Sequence, residues 1–111
     1  MLRESQAAVV ARNETWTGAA ATEPYEAGWA QEAVVFIRAL KDAKGARGKA
    51  RVQLSPDGMR WVDEGTTFPL PKKADEVTYA RVKHFGTWLR VAADLPKGAS
   101  VTVLVTWHVK A

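Results

Sequence analysis

RVQLSPDGMRWVDEG, residues 51–65, carries the pattern from which the fold follows. Two short strand-like runs, Arg51–Leu54 and Met59–Val62, flank Ser55, Pro56, Asp57 and Gly58. Each member of that tetrad favours a turn for its own reason. The Ser55 hydroxyl can bond the backbone ahead of it, and Pro56 presets φ for the second position of a type I turn. Asp57 tolerates the third position, and Gly58 accepts a positive φ at the exit. A four-residue loop of this kind fixes the register of a hairpin. With Leu54 and Met59 as the flanking pair, Val52 lies opposite Trp61 on one face. An isolated hairpin is marginal in water, so its apolar face implies a larger sheet around it.

Working outward, the same alternation recurs. Val101, Val103, Val105, Trp107 and Val109 face one way, while Thr102, Thr106, His108 and Lys110 face the other, with Leu104 the exception. Period two over ten residues is a strand, because a helix repeats every 3.6. The run EAVVFIRALK, residues 32–41, is apolar on both faces. Its Ala, Leu, Arg and Lys also suit a helix, but the Val34-Val35-Phe36-Ile37 cluster and the glycine-rich exit favour a strand covered on both sides. Gln6–Arg12 reads as a first strand. Thr66–Pro71 reads as a short edge strand, since proline cannot donate to a ladder. Val77–His84 and Thr87–Ala93 flank a turn at Phe85-Gly86, and Asp94–Ala99 is a further turn. Seven to eight strands at hairpin-like spacing, without a helix, predict an all-β antiparallel β-sandwich, jelly-roll-like, in a single domain over 1–111. Asn13–Ala30 is the least regular stretch, and residues 1–30 are a candidate N-terminal arm.

The totals bound the function. The chain has 111 residues, no cysteine, and a formal charge of +4. One domain of this size buries roughly two-thirds of its unfolded surface without staples. Without cysteine there is neither a disulfide framework nor a thiolate metal site. Met1-Leu2-Arg3-Glu4 sets an acid where a signal peptide carries bases, and the apolar core Ala33–Ile37 is too short to span a bilayer. The expectation is a protein without a signal peptide or membrane insertion, cytoplasmic or assembled in a particle. Its charge is uneven: residues 1–32 carry two bases against five acids, and residues 33–60 carry seven against two. Such segments can complement each other within a subunit or between neighbours.

The run Ser55-Pro56-Asp57-Gly58-Met59-Arg60-Trp61 resembles the S-x-D-G-x-x-W hairpin of discoidin-like β-sandwich domains. Phe85-Gly86-Thr87-Trp88-Leu89-Arg90-Val91 is similar to the aromatic-φ-Arg-φ strand that follows it there. Similar pairs belong to small β-sandwich proteins of bacteria and phages, including virion-type jelly rolls. The two motifs cover about a third of the chain. The resemblance implies a sandwich in which Asp57 braces the turn and Trp61 packs in the sheet. The chain is shorter than a discoidin domain and lacks its disulfide cysteines and ligand loops, so no ligand is implied.

Candidate catalytic chemistry is thin. His84 and His108 stand outside any metal-binding spacing, and the neighbours Asp63-Glu64 and Asp75-Glu76 point to opposite faces of an extended chain. No nucleophile elbow or phosphate-cradling glycine loop occurs. The reading is no enzyme, no catalytic residue, no metal and no cofactor. Three aromatics in a polar stretch, Trp16, Tyr25 and Trp29, are candidate contacts for self-association or for a glycan. Lys41, Lys44, Arg47, Lys49 and Arg51 surround two glycines and are candidates for phosphate or nucleic-acid contact. Ser55, Pro56, Asp57 and Gly58 are assigned to the turn, and Trp61 and Trp107 to the core. The leading expectation is a structural protein that associates with itself into a homo-oligomeric shell, virion or filament. The alternative is a carbohydrate-binding module using exposed aromatics.

Overall fold

A strand that buries every second side chain along ten residues needs a neighbour on each flank and a second sheet beneath it. The computed structural model, which describes residues 5–45 and 47–111, supplies both. Its strands are β1 (Ser5–Trp16), β2 (Ala19–Ala21), β3 (Tyr25–Glu26), β4 (Glu32–Ala39), β5 (Lys49–Ser55), β6 (Val62–Pro69), β7 (Val77–Lys83), β8 (Trp88–Asp94) and β9 (Val101–Lys110). The front sheet has the order β1-β9-β4-β7. The back sheet has the order β2-β8-β5-β6, with β3 also on β8. All pairings of the strands are antiparallel.

The pairings are nested. β1 pairs with β9, β2 and β3 with β8, β4 with β7, and β5 with β6. The hairpin of residues 51–65 is therefore the innermost fold of a chain doubled back on itself and wrapped into two antiparallel sheets, a β-sandwich. Twelve large side chains are fully buried among the described residues, and five of them (Val101, Val103, Val105, Trp107 and Val109) belong to β9. Val35 and Ile37 of the neighbouring β4, with Val52 of β5 and Leu89 and Val91 of β8 from the other sheet, belong to the same buried cluster.

Several expectations are corrected. There are nine strands rather than seven or eight, because the irregular stretch after residue 13 holds the end of β1 and the short strands β2 and β3. Residues 5–30, read as an arm, are laid along the edges of both sheets instead. Residues 1–4, with Arg3 and Glu4 of the acidic segment, lie outside the described residues, as does Ala46. The hairpin register also differs. A register shift lies between Arg51 and Gln53, and Leu54 pairs with Val62, not Met59, which leaves Trp61 in the loop and removes the Val52–Trp61 pairing. The cause is Asp57, whose Oδ1 accepts from the amides of both Met59 and Arg60 at 2.9 Å. Those two amides are then lost to the ladder, and the loop lengthens. Strand β6 begins and ends accordingly at Val62 and Pro69.

The β1 edge of the front sheet is blunted. Strand β1 shifts register between Val9 and Ala11 and again between Ala11 and Glu14, with Asn13 at φ 54°. Bulges and charges such as Arg12 and Glu14 discourage a foreign strand from adding there.

Candidate functional site

Strand alternation sends Val34, Phe36 and Arg38 of β4 to the outside of the front sheet. Cross-strand register then assembles a surface around them. Phe36 pairs with Thr106 on one side and Tyr79 on the other, and Thr106 pairs with Val9. This Val9–Thr106–Phe36–Tyr79 row crosses all four strands. Below it run Leu104, Arg38 and Val77; above it run His108, Val34 and Arg81. Val9 is 42% exposed, and Val77 and Tyr79 are 50% exposed. The Phe36 ring lies 6.0 Å from Tyr79 and meets His108 edge-on at 5.1 Å, while the Arg81 guanidinium lies 5.3 Å from the Tyr79 ring centre. A shallow depression of about 470 Å³ opens between Phe36, His108 and the charged ends Glu32, Arg81, Lys83 and Lys110. The front face is apolar along its middle, aromatic at its centre and cationic at its rim.

The outer face of the back sheet is built otherwise. Its polar groups are spent on one another. Arg90 Nε donates to Gln53 Oε1 at 2.7 Å, and Gln53 Nε2 donates to Asp63 Oδ1 at 2.9 Å. Arg51 is held between Asp63 at 3.3 Å and Asp94 at 2.9 Å. Arg90 also lies 4.4 Å above the Trp61 ring, a cation–π contact. Trp61, assigned to the core, is therefore half-buried beneath an arginine, whereas Trp107 is fully buried as expected.

Asp57 and Ser55 brace the turn through the backbone. Ser55 Oγ accepts from the amides of Asp57 and Gly58, Gly58 takes φ 80°, and Asp57 Oδ2 accepts from Arg60 Nη1 at 2.8 Å. The Arg60 and Met59 amides, with the Arg60 side chain, lower the Asp57 pKa to about 2. A carboxylate depressed in the folded state stabilises it above the unfolded value near 4, and that contribution disappears as pH falls toward 2. Asp57→Asn should accordingly flatten the loss of thermal stability between pH 4 and pH 2. Melting curves followed by circular dichroism across that window check it.

The other candidates separate. Trp16 is only 3% exposed, packed in the subunit's own core, so it offers no ring to a partner or a glycan. Tyr25 is half-buried, and burial raises its phenol pKa. Trp29 alone of the three presents its ring, at 37% exposure. Lys41, Lys44, Arg47 and Lys49 are exposed, while Arg51 is committed to its two carboxylates. No ion pair joins the acidic first segment to the basic middle among the described residues. Also among the described residues, no three His, Asp or Glu side chains gather as a metal set, and no helix is long and apolar enough to cross a membrane.

The sandwich has a counterpart of known structure. The chain shares its fold with the SPBc2 prophage-derived protein YomS. The TM-score is 0.58 at 10% sequence identity, and the likeness covers 100% of this chain and 96% of that one. No protein-family model matches the chain, and no curated protein matches its sequence. At this identity the likeness to YomS extends to the whole sandwich and speaks to the fold alone.

The front face went unnoticed at the level of sequence, although β4 signalled it. A strand apolar on both sides calls for cover on both sides, and the described residues leave Val34 and Phe36, on the outer side, only half-buried.

Proposed function

We propose that this protein is a non-enzymatic structural subunit that associates with copies of itself, in an assembly of shell, virion or filament type. The observation that carries the reading is the uncovered second apolar face of β4. Exposed Val9, Tyr79 and Val77 lie with the half-buried Phe36 across the outside of the front sheet, Thr106 standing between Val9 and Phe36, and apolar side chains gathered on one face of a small domain mark an interaction surface. The blunted β1 edge disfavours strand addition there. The origin of YomS in a prophage and the resemblance of the motifs to virion-type jelly rolls agree with this reading.

Charge argues for which surface a second copy brings. The rim of the front face carries Arg38, Arg81, Lys83 and Lys110 against Glu32, so two front faces meeting about a two-fold axis would oppose like charges. The exposed Glu23, Glu26 and Trp29 lie on and beside the β3 edge of the other sheet. They supply acids and one open aromatic ring. A contact between these unlike surfaces is heterologous and closes into rings or grows into filaments. The carbohydrate-binding alternative is weaker, since burial leaves Trp29 as the one open ring of its three.

Sedimentation velocity at rising micromolar concentration tests the proposal. The mass should climb above that of a single 12.2 kDa chain and fall back as salt is added. A lone 12.2 kDa species at every concentration would count against self-association.

A further inference from the structure

We infer that one end of the sandwich is a docking surface for the phosphate backbone of duplex nucleic acid. The stretch from Lys41 to Lys49, between β4 and β5, brings Lys41, Lys44, Arg47 and Lys49. The fold sets two further loops beside it. Ala43 donates its amide to Lys72 O at 2.7 Å, Asp42 Oδ1 accepts from the Ala74 amide at 2.8 Å, and Lys44 and Ser100 exchange both backbone bonds at 2.9 Å. The β6–β7 loop thereby adds Lys72 and Lys73, and the β8–β9 loop adds Lys97. All seven cations are exposed, and none enters a salt bridge among the described residues.

The charge of this end is the charge of the protein. The three loops and Lys49, the first residue of β5, hold seven cations against Asp42, Asp75 and Glu76. The other nine bases and nine acids of the chain cancel, among them Asp94, at the same end, and the Arg51 that holds it. The formal excess of +4 thus sits at one end. Two of the three acids are also engaged, Asp42 by the Ala74 amide and Glu76 by the Lys72 amide. A concentrated cationic surface of this kind attracts phosphates by charge and by release of their counterions.

The kind of polyanion follows from what the loops lack. They contain no Trp, Tyr or Phe, so unpaired bases find no stacking platform and a single strand gains little over a duplex. Their large apolar side chains, Leu70 and Leu95, are buried, so no wedge enters a bilayer. Six of the seven cations are flexible lysines, point charges that suit phosphate contacts indifferent to sequence, and Arg47 is the one guanidinium among them. Arg51, a sequence candidate, leaves the set because Asp63 and Asp94 hold it.

The test is fluorescence anisotropy with a labelled DNA duplex of about two helical turns. Four to six phosphate contacts predict binding at about 50 mM salt that weakens about 10²- to 10³-fold by 200 mM. The variant Lys44→Ala/Arg47→Ala/Lys49→Ala should lose at least about tenfold in affinity and flatten the salt slope by about three. Lys72→Ala/Lys73→Ala/Lys97→Ala, on different loops, should act in the same direction. Arg81→Ala/Lys110→Ala, on the front sheet, should leave binding within about twofold. Absence of binding at low salt would overturn the inference, as would unchanged affinity in both loop variants. So would stronger binding to single-stranded DNA, polyglutamate or anionic vesicles than to the duplex.

Discussion

Trp107→Ala should unfold this protein more readily than any other single truncation. Trp107 sits at the middle of the front sheet, between Ala8 of β1 and Val35 of β4, and is fully buried. Removing a buried indole costs about 3–5 kcal/mol through lost burial and the cavity left behind. Native domains are stable by only about 5–15 kcal/mol, so the melting temperature should fall on the order of 15–30 °C. The indole also carries a polar cost, since its Nε1 has no hydrogen-bonding partner among the described residues. Trp107→Phe keeps a ring and discards that donor, so it should change stability by about 1 kcal/mol or less. Urea unfolding of both variants checks the pair. Equal losses from Phe and Ala would mean that the Nε1 proton has a stabilising partner.

Tyr79→Glu should act on assembly and spare the fold. Tyr79 is half exposed at the edge strand β7, so the subunit loses little by its replacement, on the order of 0.5 kcal/mol or less. At a contact the same ring lies between Phe36 and Arg81, at the β7 end of the row that crosses the front sheet. Aromatic anchors of that kind are worth about 2 kcal/mol or more in an interface, or about thirtyfold in the dissociation constant. A carboxylate there would also face the acids of the incoming copy. Light scattering should report dissociation, and thermal melting should report a nearly unchanged midpoint.

The sandwich was legible because its signal is repetitive. Each turn has its own punctuation, and β9 alternates so cleanly that only a strand between two others fits it. The nested pairing was not legible, since register across sheets depends on contacts between residues far apart in sequence. The hairpin register failed for a local reason: a side chain, Asp57, outcompeted the ladder for two amides. Trp16 and Trp61 exchanged fates by similar logic. Trp16 lies in a polar stretch, but its alternation within β1 turns it inward opposite Val101. Trp61 lies just outside β6, where Arg90 covers it. The basic loop was visible in the sequence, but its neighbours Lys72, Lys73 and Lys97 join it only through the fold.

Hydroxyl-radical footprinting at low and high protein concentration tests the account most directly. As the protein associates, Tyr79 and Phe36 should lose labelling together with Trp29, while Met59, 74% exposed on the far hairpin, keeps its own and serves as the internal reference. Association that leaves Tyr79 and Phe36 fully labelled would contradict the claim that the front face of the sandwich is where a second copy sits.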